Sequence, residues 1–246
     1  MAAVVYDVKD HILVVTLDRP QVRNAWNAEL AQGLHDAWER LTSDDALRVC
    51  VVTANGGFFS AGMDLKDPPY DLATLAMPNL SVPCDKPILA AVEGGAIGYA
   101  AVFCLLADMV FAGNSAYFLY PEARMGYFQG MMGGFPGRLQ VKAGLQWLMT
   151  ADKLPAERAC QIGMVNEVVA DGAAFGRAME VAAKIARNAP LVVQAMKAFA
   201  LGTIPKGPME ANFRQNRLIA NIMASEDGKE GFAAFRERRT ATFKGK

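Results

Sequence analysis

Short apolar runs at residues 4–6 and 12–17, separated by Lys9, Asp10 and His11, open the chain and predict a β-hairpin. From residue 28 the rhythm changes. Leu30, Leu34, Trp38 and Leu41 recur at helical spacing behind Asn27, whose side chain suits a helix N-cap. Residues 48–53 (RVCVVT) and 86–92 (KPILAAV) are continuous apolar runs of strand length. Between them lie a loop at 54–57 and a proline-bearing stretch over 67–85, whose weak patterning predicts a surface loop or lid. Further strands are expected at 107–112, 117–119 and 164–169. Beyond Asp171 the pattern is helical: 174–187, a break at Pro190, then 191–201, 209–225 and 230–239. Alternating strands and helices predict an α/β architecture. The strandless tail is expected to pack against neighbours rather than fold alone.

Residues 94–122, GGAIGYAAVFCLLADMVFAGNSAYFLYPE, sit at the centre of this order. Gly94, Gly95 and Gly98 permit backbone angles closed to other residues, so a glycine-broken turn should feed an apolar helix over 99–107. The first N–H groups of such a helix lie at the positive end of its dipole and suit a developing negative charge on a substrate oxygen. GGAIG is not the GxGxxG fingerprint, and no acidic residue closes a strand at the distance a dinucleotide site needs.

Composition narrows the partners. Lys plus Arg equals Asp plus Glu at 25 each, so there is no basic field for nucleic acid. The 246 residues suffice for one large domain, or one with an appendage, and the 52% hydrophobic content hints at surface hidden in an oligomer. The N-terminus carries Asp7 and Asp10 and has no cleavable signal pattern, and the apolar runs are too short to span a bilayer. Cys50, Cys84, Cys104 and Cys160 are scattered without metal or redox spacing. A cytoplasmic protein without membrane contact is expected.

Five stretches in order resemble the crotonase superfamily, the enoyl-CoA hydratase/isomerase family: LDRPQVRNAW (17–26), FFSAGMDLK (58–66), KPILAAVEGGAIG (86–98), LYPEARMG (119–126) and LPAERACQIGMVNEVV (154–169). The resemblance implies an α/β fold, a crotonase-like spiral of ββα units over residues 1–190. A helical C-terminal region over 191–246 would trimerise, often as a dimer of trimers. It implies a coenzyme A thioester as substrate, with no permanently bound cofactor and no metal. Carried over residue by residue, it places two main-chain donors at the N–H groups of Met63 and Tyr99. Together they would stabilise the enolate formed when the carbon beside the thioester carbonyl loses a proton. Loss of one donor from a comparable hole costs about 3–4 kcal/mol. The carbonyl of Ala61 would face the adenine, and Lys66 and Arg23 are candidates for the coenzyme phosphates.

One departure bears on the chemistry. Typical hydratases of the family use two glutamates. Here the first position holds Val102 and the second holds Glu122, after Pro121. Paired carboxylates suit hydration, which must deprotonate a water and protonate a carbon, whereas one suffices to move a proton between two carbons. Isomerisation is therefore the expected reaction, with hydratase or hydratase-lyase chemistry, or a silent thioester binder, as alternatives. Trp26, Tyr127 and Met131 are expected to line the substrate pocket, with Tyr99, Tyr120, Phe128, Gln129 and Met132 nearby, and to favour a short, branched, cyclic or aromatic acyl group. Asp64 and Asp108 match structural carboxylates of the family. His11 and His35 lie outside every motif, leaving a hydrolase triad unsupported.

Overall fold

The computed structural model describes residues 2–69, 74–80, 82–127 and 131–246. Strands β1 (Val4–Lys9) and β2 (Ile12–Leu17) form the expected hairpin, paired antiparallel from Val4 with Leu17 to Lys9 with Ile12. Asp10 and His11 take the left-handed backbone, φ 49° and 69°, that a two-residue hairpin turn requires. Helix α1 (Ala28–Ser43) begins where Asn27 caps it, the side-chain oxygen accepting the Leu30 N–H at 3.0 Å.

There follow β3 (Val49–Ala54), β4 (Ile88–Val92), β5 (Gly95–Ile97), α2 (Tyr99–Leu106), β6 (Met109–Gly113), β7 (Tyr117–Leu119) and α3 (Glu122–Met125). Next come α4 (Val141–Thr150), β8 (Leu154–Pro155), α5 (Ala156–Gln161), β9 (Glu167–Val169) and α6 (Ala174–Ala186). Six strands make one sheet in the order β1-β2-β3-β4-β6-β9, parallel apart from the hairpin. Three make a second, β5-β7-β8, in which β5 and β7 run parallel.

Alternation along the first sheet divides the core in two. Ile12 and Val14 face α6, which presents Ala174, Ala178, Ala182 and Ala186, one alanine every four residues, so the helix lies close on the strands. Leu13, Val15 and Leu17 face the larger core, shared with α1 and α2. Every residue of α2 is buried, which is why its sequence is apolar all round.

Three expectations change. The stretch over 67–85 is not a surface loop where it is described: Ala76, Met77, Leu80, Val82 and Cys84 are buried in the larger core, and the Ala76 carbonyl accepts the Trp38 indole N–H at 2.9 Å. Its apolar residues are anchored singly and follow no regular period, so its pattern is weak although its burial is not. The glycine turn at 94–98 contains a strand, β5, held by parallel pairing with β7. The strand expected over 164–169 is confined to β9; just before it, Asn166 donates its N–H to the Val110 carbonyl and accepts the Val110 N–H on its side-chain oxygen.

The tail is helical: α7 (Pro190–Thr203), α8 (Pro208–Ala224) and α9 (Glu226–Glu237). Pro190 begins α7 rather than merely interrupting the pattern, a position that needs no N–H. Lys197 of α7 is sunk into the body, its ammonium donating to Asp108 at 2.7 Å and to the Lys86 carbonyl at 2.8 Å. Arg138 holds Glu210 of α8 at 2.8 Å. The other sides of these helices are apolar and open, with Leu191, Phe199 and Phe235 at 78%, 77% and 85% exposure.

Candidate active site

The end of β5, the start of α2, the start of α3 and the loop at 58–65 meet around a cavity of about 190 Å³. Ala61, Gly62, Met63, Gly98, Tyr99, Glu122 and Tyr127 line it. Two glycines make the approach possible. A Cβ on Gly62 would lie 2.5 Å from the Ile97 carbonyl oxygen and 3.6 Å from the Gly98 Cα, so only glycine lets the loop touch β5. Gly98, at φ 54°, turns the chain from strand to helix, and a Cβ there would sit 3.6 Å from Glu122 Oε1.

Peptide geometry fixes where two main-chain donors point. The Gly62 carbonyl accepts the Trp26 N–H at 2.7 Å, so the Met63 N–H, on the opposite edge of the same planar unit, faces away from Trp26. The Gly98 carbonyl accepts the Val102 N–H at 3.1 Å, so the Tyr99 N–H projects out of the N-terminus of α2.

Glu122 opens α3 directly after Pro121. Its Oε2 is buried and has no hydrogen-bond partner among the described residues. Burial pushes its pKa from an ordinary 4.5 up to about 7, against a smaller opposing contribution from its own backbone N–H. Tyr120 is raised as well, first by burial and then by the neighbouring Glu122, Tyr99 and Tyr127, so three phenols share the surroundings of one carboxyl.

Of the coenzyme candidates, Ala61 lines the cavity, while the two cations do not. Lys66 is exposed, and its N–H donates to Asp64 at 3.1 Å. Arg23 is exposed with its guanidinium 5.5 Å from the centre of the Phe58 ring, while its carbonyl accepts the Ala61 N–H at 2.9 Å. Asp64 pairs with Arg19 at 3.1 Å. Burial opposes its ionisation, but the Lys66 N–H and Arg19 outweigh that and hold it below the usual carboxylate range.

Two expected pocket residues are placed elsewhere. Trp26 is wholly buried behind Tyr99, with ring centres 6.0 Å apart, and Met131 belongs to the larger core; neither lines the cavity. In each case apolar bulk beside a motif serves packing. Phe128 and Gln129 lie outside the described residues. The cavity also takes in Ile97, Leu65 and Met125, which the sequence reading missed. Met125 stands three residues after Glu122 on α3, a helical spacing that would have flagged it.

A family model for enoyl-CoA hydratase/isomerase matches residues 7–246. The chain belongs to the enoyl-CoA hydratase/isomerase family. The 2,3-dehydroadipyl-CoA hydratase of Escherichia coli (strain K12) is 34% identical over 258 residues, covering 100% of both chains. The (E)-benzylidenesuccinyl-CoA hydratase of Thauera aromatica is 33% identical, over 98% of this chain and 99% of its own. Among solved structures, a carnitinyl-CoA hydratase from Mycobacterium avium matches over 100% of both chains with a TM-score of 0.78 at 33% identity. The two sheets and the helical C-terminal region are thus those of a crotonase-superfamily fold. In this family member Val102, on α2, is wholly buried. Among the described residues no group of three or more His, Cys, Asp or Glu is placed to hold a metal, and no helix is long and apolar enough to cross a membrane.

Proposed function

We propose that this protein transforms an acyl-CoA thioester through an enolate, with Glu122 as the group that moves the proton. The observation that carries this reading is a buried, unpartnered carboxyl oxygen in the same cavity as the peptide units of Met63 and Tyr99. The two N–H groups grip the thioester oxygen and stabilise the charge that develops there. Glu122 takes a proton from the carbon beside the carbonyl and returns it two carbons further along as the double bond shifts. A pKa of about 7 suits both halves of that transfer. Ala61, Lys66 and Arg23 serve the coenzyme, the two cations from the exposed rim.

The names of the relatives favour hydration as a second reading. There Glu122 accepts a proton from water as its oxygen bonds the third carbon, then delivers that proton to the second. Val102 takes no part in either reaction. The exposed Leu191, Phe199 and Phe235 support burial of the tail in a homotrimer or dimer of trimers, which sedimentation would test.

The deciding experiment offers enoyl- and aryl-CoA thioesters in deuterated water and follows products by mass spectrometry. A shifted double bond identifies an isomerase, with label entering where the proton on Glu122 exchanges with solvent, and a gain of water identifies a hydratase. Binding with neither exchange nor product on any thioester would make the protein a silent binder and defeat the proposal.

A further inference from the structure

The cavity changes character from mouth to inner end. Leu65 and Met125 stand largely exposed at the mouth, while the inner end is closed by Tyr99, 4% exposed. Behind Tyr99 stands a block of rings. Trp26 lies 6.0 Å from Tyr99 and meets Phe103 nearly edge-on at 6.1 Å, and Phe103 in turn packs against Trp38 at 6.0 Å and Phe59 at 5.9 Å. These four backing rings are fully buried. Of its two indoles, Trp38 donates to the Ala76 carbonyl at 2.9 Å, whereas the Trp26 N–H has no hydrogen-bond partner among the described residues, so Trp26 is held in the block by shape.

We propose that Tyr99, braced by Trp26 and Phe103, is the specificity-determining wall of the cavity and restricts the acyl part of the thioester to a short or flat group. The inference rests on the acyl-CoA reading above and adds the substrate class. Straight chains that run past the reacting carbons meet a ring that cannot swing back, because each ring behind it is already in contact with the next. A cavity of about 190 Å³ leaves little room to bypass it. The wall is a property of the Tyr99 side chain, whereas the proposed donor at this position is its main-chain N–H. The two functions of one residue are therefore separable by substitution.

The test compares kcat/KM for butenoyl-, octenoyl- and dodecenoyl-CoA in the wild type, Tyr99→Ala and Tyr99→Phe. The wild type should prefer the shortest thioester. Tyr99→Ala should raise the long-to-short ratio about tenfold or more, and Tyr99→Phe should leave it within about twofold of wild type. Should Tyr99→Ala fail to fold by circular dichroism, Tyr99→Leu replaces it and should move the ratio the same way. An unchanged ratio in the truncated variant overturns the wall. So does a shift in Tyr99→Phe as large as in Tyr99→Ala, which would assign the effect to the hydroxyl. Wild type active equally on all three lengths also overturns the wall but leaves the enolate reading standing. Absence of turnover on every thioester counts against that reading itself.

Discussion

Two cavities in this molecule make opposite use of their polar groups. The larger, about 560 Å³, lies between α7 and the edge of the body, and its walls include Asp108, Arg138, Lys197 and a broad apolar lining. Its charges are matched: Lys197 with Asp108, and Arg138 with Glu210. The smaller, about 190 Å³, is lined by Glu122, one of whose carboxyl oxygens is left unsatisfied among the described residues. A buried polar atom without a partner costs about 1–3 kcal/mol; that of Trp26 is sealed in the packed core, whereas that of Glu122 belongs to a residue lining a cavity that a ligand could enter. Size alone would direct attention to α7. Unmet hydrogen-bonding capacity directs it to Glu122.

The sharpest way to break this contrast is Glu122→Gln, which keeps shape and removes proton transfer. Its kcat/KM should fall by about 10²–10⁴-fold, with thioester binding retained in a direct titration. A fully active variant would remove the distinction between the cavities. Lys197→Met should do the reverse. Leaving Asp108 charged and unmatched in a buried site should lower unfolding free energy by about 3–5 kcal/mol in a denaturant titration, with turnover per folded molecule unchanged. Lost turnover at preserved stability would instead make the α7 cavity part of the chemistry.

A smaller effect follows from protonation. Between pH 4.5 and about 7 the folded protein keeps a proton on Glu122 that the unfolded chain has released, so this group makes stability fall as pH rises. Glu122→Gln lacks that step. Its stability relative to wild type should improve through this window and level off above it, while wild-type kcat/KM should climb with an apparent pKa near 7. A stability difference that is flat across the window would show that the surroundings do not hold the acid neutral. Arg124→Ala should do least. Its pair with Asp152 at 2.6 Å is exposed, and both stability and kcat/KM should stay within about 1 kcal/mol of wild type.

Much of this was legible in the chain because it depends on local rules. The Asn27 cap, the helical spacing of Leu30 to Leu41 and the hairpin around Asp10 each follow from a few neighbouring residues. Glu122 stood out through the resemblance of LYPEARMG to a stretch of the family rather than through any local rule. What stayed hidden depends on distant contacts. Trp26 looked like a pocket residue because nothing local reveals that Phe103 covers it from the other side. Lys197 is 89 residues from its partner Asp108, and no periodicity links them. Strand β5 was concealed within a glycine-rich turn because it is made by distant partners, β7 across the whole of α2 and β6 on one side and Ser60 on the other.

Gly62 carries a practical consequence. Because its loop touches the Ile97 carbonyl with no side chain between them, the distance separating the two peptide units is set by backbone alone. A library aimed at new acyl groups can therefore diversify Met63, Leu65, Tyr99, Met125 and Tyr127 together while leaving the spacing of the reactive centre untouched. The same library would be ruined by a single alanine at 62, however conservative that change looks on paper.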